Sequence, residues 1–199
     1  MLVCFKPRIA FLAMTKAGST AVEAALSPHA EIHYGGHPRV KHMTARMFGR
    51  FVRPYLHAID APEVETVCLF REPLDWLGSW YRYRMRPEVE GKQTATHGLS
   101  FADFVSAYLD DKPPSFAQIG RPARFVRDKG GEIAVDHIYR YAHFEAFVAF
   151  LSARIGAPLE VAWLNRSPAR ELSALPPALQ ARLEDKLAED FAIYHDHAK

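Results

Sequence analysis

Ile9-Ala10-Phe11-Leu12-Ala13-Met14-Thr15-Lys16-Ala17-Gly18-Ser19-Thr20 decides the architecture of this 199-residue chain. The unbroken apolar run from Ile9 to Met14 is too short to cross a membrane. It lacks the alternation of a half-exposed strand, so it predicts a short strand buried on both faces. The run passes through Thr15-Lys16-Ala17-Gly18 into Ser19 to Leu26, which predicts a helix stopped at Ser27-Pro28.

Working outward, the same pattern recurs at Thr66 to Phe70. That apolar run enters Arg71-Glu72-Pro73 and a helix with proline in its first turn, where a missing N–H costs nothing. Two strand-to-helix units predict an α/β fold with a parallel sheet. Between them an amphipathic helix is expected over 43–55, with Met43, Met47, Phe51 and Tyr55 on an apolar stripe and Arg46, Arg50 and Arg53 on another. Segment 86–98 reads as a surface loop, Ser100 to Asp103 as a capping box opening a helix, and 111–131 as irregular. Ile133 to Tyr139 predicts a strand. A helix with Phe144, Phe147, Val148, Leu151 and Ile155 on one face follows, ended by Gly156 and Pro158. A last helix starts near Pro176-Pro177 and should bury Leu179, Leu183, Leu187 and Phe191.

Composition bounds the function classes. With 49% hydrophobic and 24% charged residues the chain is of ordinary globular type, and its length predicts one domain, 1–199. A net charge of +2 argues against a nucleic-acid-binding coat. Cys4 and Cys68 each lie in apolar runs, which predicts buried, reduced thiols and a cytoplasmic location. No membrane span is expected.

The chemistry sits at the two strand ends. A turn from buried strand to helix presents unpaired N–H groups at the positive end of the helix dipole, a ready anion site. Gly18 lets the backbone approach closely, Ser19 and Thr20 add hydroxyls, and Lys16 adds a mobile cation. A triphosphate loop would need Lys after a second Gly and a Ser/Thr for magnesium. Here Lys16 precedes the glycine, so that spacing fails. Arg71, just past its strand, can grip a phosphate in bidentate fashion, and Ser79 follows a little over two helical turns later on the face of Asp75, Arg82 and Arg86. Either segment alone also fits a capped turn or a surface arginine.

Taken together, Thr15-Lys16-Ala17-Gly18-Ser19-Thr20 and Arg71-Glu72-Pro73 with Ser79 resemble the two nucleotide motifs of the sulfotransferase superfamily. Arg140-Tyr141-Ala142-His143-Phe144 is similar to a third family segment, and Leu164-Asn165-Arg166-Ser167-Pro168 extends the likeness, nearest to the carbohydrate branch. Thr15, Glu72 and Ala142 stand where the family has Pro, Asp or Asn, and Glu. The resemblance implies a three-layer, P-loop-like fold with a central parallel sheet flanked by helices. It implies the donor 3′-phosphoadenosine 5′-phosphosulfate, with Lys16, Ala17, Gly18, Ser19 and Thr20 on the phosphosulfate and Arg71 and Ser79 on the 3′ phosphate. It implies no metal requirement.

Sulfuryl transfer also needs a base, and histidine has a suitable pKa. His29, Glu31, His33, His37 and His42 cluster between the two motifs. The family places a catalytic His or Glu there, which makes His42 the leading candidate, His37 the second and Glu31 the third. The expected acceptor is a small molecule or saccharide hydroxyl. Two alternatives stay open: a P-loop-like small-molecule kinase, and a nucleotide-binding protein without catalysis.

Overall fold

The structure, a computed structural model, describes residues 1–162 and 172–199. Both predicted strand-to-helix units form. Five strands build one sheet: β1 (Leu2–Cys4), β2 (Ile9–Phe11), β3 (Ile32–His33), β4 (Glu65–Phe70) and β5 (His137–Arg140), in the spatial order β3-β1-β2-β4-β5. β2 runs parallel to β4 with Phe11 opposite Val67, and β4 runs parallel to β5 with Phe70 opposite Arg140. Leu12 extends the first pairing, its N–H donating to the Val67 carbonyl at 2.9 Å. Helix Ser19–Leu26 follows β2 and helix Pro73–Arg84 follows β4.

The sheet is mixed, which corrects the expectation of a parallel one. β1 pairs antiparallel with β2 across the turn Phe5 to Arg8, and β3 pairs antiparallel with β1. Leu2-Val3-Cys4 is short and its turn carries no glycine, so neither the strand nor the hairpin stands out in the residues. Arg8 takes the positive φ of 55° that the turn needs.

The segment expected as a helix over 43–55 is helical from 45 to 58 in three parts: Ala45–Met47, a wide π turn Phe48–Val52, and Arg53–Ala58. Pro54 has no N–H and its ring would collide with the carbonyl four residues back, and the wide turn accommodates it. Ala45, Phe48, Val52 and Leu56 are buried, while Phe51 and Tyr55 are 55% and 50% exposed. The buried set keeps the i, i+3, i+7 spacing of one helical face. The expected positions, each four apart, drift by about 40° per step around a helix.

Two apolar clusters result. The larger packs helices on the sheet and contains Phe11, Leu69, Phe70, Phe48, Phe147 and Leu151. The smaller is built by Trp76, Leu77 and Tyr81 against Phe101, Phe104, Leu183 and Leu187. The capping box at Ser100 is present, with Asp103 N–H donating to the serine hydroxyl at 3.1 Å and Ser100 N–H to the Asp103 carboxylate at 2.9 Å.

The strand expected over Ile133 to Tyr139 is confined to His137–Arg140, because Ile133 pairs locally with Arg127 instead. Helix Phe144–Ile155 ends at Gly156 as expected. The terminal helix is broken at Leu187 into Pro177–Lys186 and Ala188–Ala192, and Leu179 and Phe191 are only half-buried. Helix Pro122–Val126 forms inside the supposedly irregular 111–131, tied down by fully buried Asp190, which accepts from Ala123 N–H at 2.7 Å and pairs with Arg121. Leu164 to Pro168 lie outside the described residues. Cys4 and Cys68 are free and buried, and burial pushes the Cys4 thiol up to about 12 and raises that of Cys68. Among the described residues no helix is long and apolar enough to cross a membrane.

The corrected stripe has a direct consequence. Phe48→Ala should cost about 3–5 kcal/mol of stability, and Phe51→Ala should stay within about 0.5 kcal/mol of the parent, both read from urea unfolding. Equal losses would restore the stripe through Phe51.

Candidate functional site

Parallel pairing of β2 and β4 brings their C-terminal ends to one edge of the sheet, so the Lys16 loop and Arg71 meet although 55 residues apart. Two hydrogen bonds join them. One Arg71 amino group donates to the Lys16 carbonyl at 2.9 Å, and the Trp76 indole N–H donates to the Thr15 carbonyl at 3.1 Å. The N–H and C=O of a trans peptide point in opposite directions. With both carbonyls turned onto helix Pro73–Arg84, the amides of Lys16 and Ala17 point away from that helix. Lys16 and Gly18 hold the loop with φ of 62° and 71°, left-handed values that glycine takes at no cost and lysine does not.

Helix Ser19–Leu26 has no side-chain cap and no acidic residue in its first turn. Its first amides stay free for an anion, since only from Ala21 onward do the N–H groups bond back to Gly18. Tyr141 backs the loop from β5. Its ring lies 4.7 Å from the Arg71 guanidinium and 2.9 Å from where a Cβ on Gly18 would stand. The predicted third motif thus contributes Tyr141, while its Arg140 ties off the C-terminus by donating to the carbonyls of Tyr194, His195 and Ala198.

Arg71 is held rigidly. Its Nε and one amino group form a fork onto Asp75 at 2.5 and 3.0 Å, and its other amino group serves Lys16. Of five N–H donors, two remain for a ligand. Asp75 also meets Arg82 at 3.5 Å. The Glu72 carboxylate caps the helix by accepting from Asp75 N–H at 2.6 Å, a task that Asp or Asn could also perform there. Ser79 is buried on the same helix.

Lys16 is the most perturbed cation. Its ammonium stands 4.0 Å from the centre of the Tyr83 ring and 5.8 Å from that of Trp80. Burial, and after it repulsion from Arg86, Arg71 and Arg82, pushes its pKa down to about 8. Lys16, Arg71, Arg82 and Arg86 thus set four positive charges against the two nearby carboxylates of Asp75 and Glu72. Such a group calls for an anion. Trp80 and Tyr83 were not legible as site residues, because aromatic residues on a helix read as core, and Tyr141 was legible only as part of the third segment.

The histidines separate. His42 ends the short helix Pro38–Lys41, and its Nδ1 lies 2.7 Å from the Ala13 carbonyl. A carbonyl only accepts, so Nδ1 carries the proton and Nε2 keeps its lone pair. Burial holds the His42 pKa below its ordinary value, so the ring is neutral near pH 7. Its neighbour Lys41 reaches the Thr20 hydroxyl at 3.4 Å and Glu23 at 3.0 Å, which docks this helix on the start of Ser19–Leu26. His42 therefore stands beside the Lys16 loop. His37 caps the other end of the same helix, exposed, its Nδ1 accepting from Arg39 N–H at 3.2 Å. Glu31 accepts from Phe5 N–H at 2.6 Å, at the end of the sheet where β2 begins, opposite the loop. Glu31 is therefore not brought to the Lys16 loop.

Among the described residues no group of three or more His, Cys, Asp or Glu is placed to hold a metal ion. Comparison with family models, with curated proteins and with solved structures returns no match.

The depressed lysine predicts a stability signature. Unfolded Lys16 titrates near 10.5 and folded Lys16 near 8. The unfolded chain binds more protons between these values, so stability from this residue rises with pH from about 8 to 10.5. Lys16→Met should melt higher than the parent at pH 7, and the gap should close toward pH 10.5. A lower melting temperature at pH 7 would mean that the ammonium is stabilised in the fold.

Proposed function

We propose that this protein moves a sulfuryl group from 3′-phosphoadenosine 5′-phosphosulfate to an acceptor hydroxyl. The observation that carries the proposal is the joining of the two strand-end segments by the Arg71 to Lys16 carbonyl bond, with an excess of positive charge around it. A donor with phosphates at both ends of its ribose needs two anion subsites a nucleoside apart. The free amides of the Lys16 loop and the two unused N–H donors of Arg71, linked by the Arg71 to Lys16 carbonyl bond, are the candidate anion contacts that support this reading. The α/β sheet with helices after β2 and β4 is compatible with a three-layer, P-loop-like arrangement.

In the proposed reaction the acceptor oxygen attacks sulfur in line with the bridging S–O bond. His42 Nε2 takes the hydroxyl proton as the new O–S bond forms. The bridging bond breaks, and its electron pair leaves on the 5′ phosphate of adenosine 3′,5′-bisphosphate. Lys16 and the outward amides of Lys16, Ala17 and the helix start offset that charge. Positioning and electrostatics carry the rate, as they do in phosphoryl transfer. Arg71 and Ser79 hold the 3′ phosphate, and rigidity of the Arg71 fork keeps the ordering cost low.

Lys16→Ala should abolish sulfate transfer far more than it weakens donor binding. Equal loss of both would reduce Lys16 to an affinity role. His42→Ala should lower turnover by roughly 10²–10⁴ with donor binding intact, and an unchanged rate would transfer the base role to His37. For the parent, kcat/KM should rise as pH climbs through the His42 pKa below 6.5 and fall above about 8 as Lys16 loses its proton. A thermal shift with magnesium ATP but none with adenosine 3′,5′-bisphosphate would support the kinase alternative instead.

A further inference from the structure

A second cationic feature lies away from the Lys16 loop. The helical segment 45–58 faces the stretch 124–136 across two clefts of about 690 and 710 Å³. The clefts share Arg46, Arg50, Asp128 and Lys129 in their walls, so they form one trough. Arg53 lines one part of it, and Arg124 and Arg127 line another. Six cations thus meet two carboxylates, Asp128 and Asp136, in a chain whose whole net charge is +2.

Most of those cations are available. Among the described residues Arg46, Arg50, Arg124 and Lys129 enter no ion pair. Arg53 is 3.7 Å from Glu63 with both side chains exposed, a pair of little worth, while Arg127 is held by Glu189 at 2.6 Å. The carboxylates are occupied instead. Asp136 accepts from the Thr66 amide and hydroxyl at 2.7 Å each, and Asp128 accepts from Glu132 N–H at 3.0 Å. The positive charge in the trough is therefore uncompensated from within.

Phe51 adds an aromatic face. It is 55% exposed and lines the trough, with the Arg50 guanidinium 5.0 Å from its ring centre. An exposed ring among unpaired arginines suits a ligand with an apolar face and anionic substituents, which describes a pyranose bearing carboxylate or sulfate groups. Each cleft has the volume of a small-ligand site. The modest net charge disfavours a nucleic acid, and the concave shape disfavours a lipid surface.

We propose that this trough binds a short anionic oligosaccharide, its charged groups paired with Arg46, Arg50, Arg124 and Lys129 and one sugar ring stacked on Phe51. Thr44, two residues after His42 in the chain, also lines the trough. Binding rests on the trough's own residues; its role as the acceptor site rests on the proposed sulfuryl transfer.

The test is calorimetric titration of the full chain with a chondroitin sulfate tetrasaccharide. Neutral chitotetraose, a single-stranded RNA octamer and phosphatidylserine vesicles serve as competing probes. The sulfated tetrasaccharide should bind most tightly, and weaken as salt screens the charges. Arg46→Ala/Arg50→Ala should lose at least tenfold and Phe51→Ala severalfold. Both variants should keep the parent melting temperature and its affinity for adenosine 3′,5′-bisphosphate. No binding, equal binding of the neutral sugar, tighter binding of RNA or vesicles, or an undiminished double variant would each overturn the proposal. Tetrasaccharide binding without bisphosphate binding would leave the trough standing and remove the transfer reaction. Bisphosphate binding without tetrasaccharide binding would do the reverse.

Discussion

The Arg71 guanidinium is the clasp on which the candidate site depends. It donates at once to the Lys16 carbonyl and to both oxygens of Asp75, and it rests on the Tyr141 ring. Through that one group β2, β4 and β5 each deliver a residue to the same place, an arrangement the parallel register of these strands makes possible. The clasp also sets the polarity of the loop. Carbonyls consumed by Arg71 and Trp76 leave amides facing the opposite side, next to an uncapped helix start.

Such a site works against the stability of the fold. Lys16 adopts a left-handed φ, is partly buried and is repelled by neighbouring arginines. Each of these costs free energy that an anionic ligand would return by binding only the folded chain. The rest of the sheet edge is conventional: buried aliphatic strands, and Phe147 packed between Phe11 and Tyr139. A strained, charged loop on a well-packed base is the pattern expected where conformation serves binding.

The two strand-to-helix units were legible because continuous apolar runs, a glycine and a first-turn proline each have a single local meaning. The helix Phe144–Ile155 and its Gly156 end were legible for the same reason. The mixed sheet was not, since Leu2 to Cys4 owes its strand state to pairing with β2 and β3, a tertiary cause. The apolar stripe of 43–55 misled because Met43, Met47, Phe51 and Tyr55, each four residues apart, drift off one helical face, and the core takes Ala45, Phe48, Val52 and Leu56 instead. In the site, Lys16, Gly18 and Arg71 could be named from residue type and spacing. Asp75 as the partner of Arg71, Tyr141 beneath it and the aromatic wall at Trp80 and Tyr83 depend on which faces meet. The order His42, His37, Glu31 came with the resemblance. The docking of His42 on Ala13 and the place of Glu31 at the far end of the sheet follow only from the topology.

The central claim is that the two strand-end segments form one site for a nucleotide carrying phosphates on both sides of its ribose. The most direct measurement is isothermal titration of adenosine 3′,5′-bisphosphate against adenosine 5′-monophosphate, with the parent and with Arg71→Ala. The bisphosphate should bind at least tenfold more tightly, and Arg71→Ala should erase the difference. Equal affinity for the two nucleotides in the parent would contradict it.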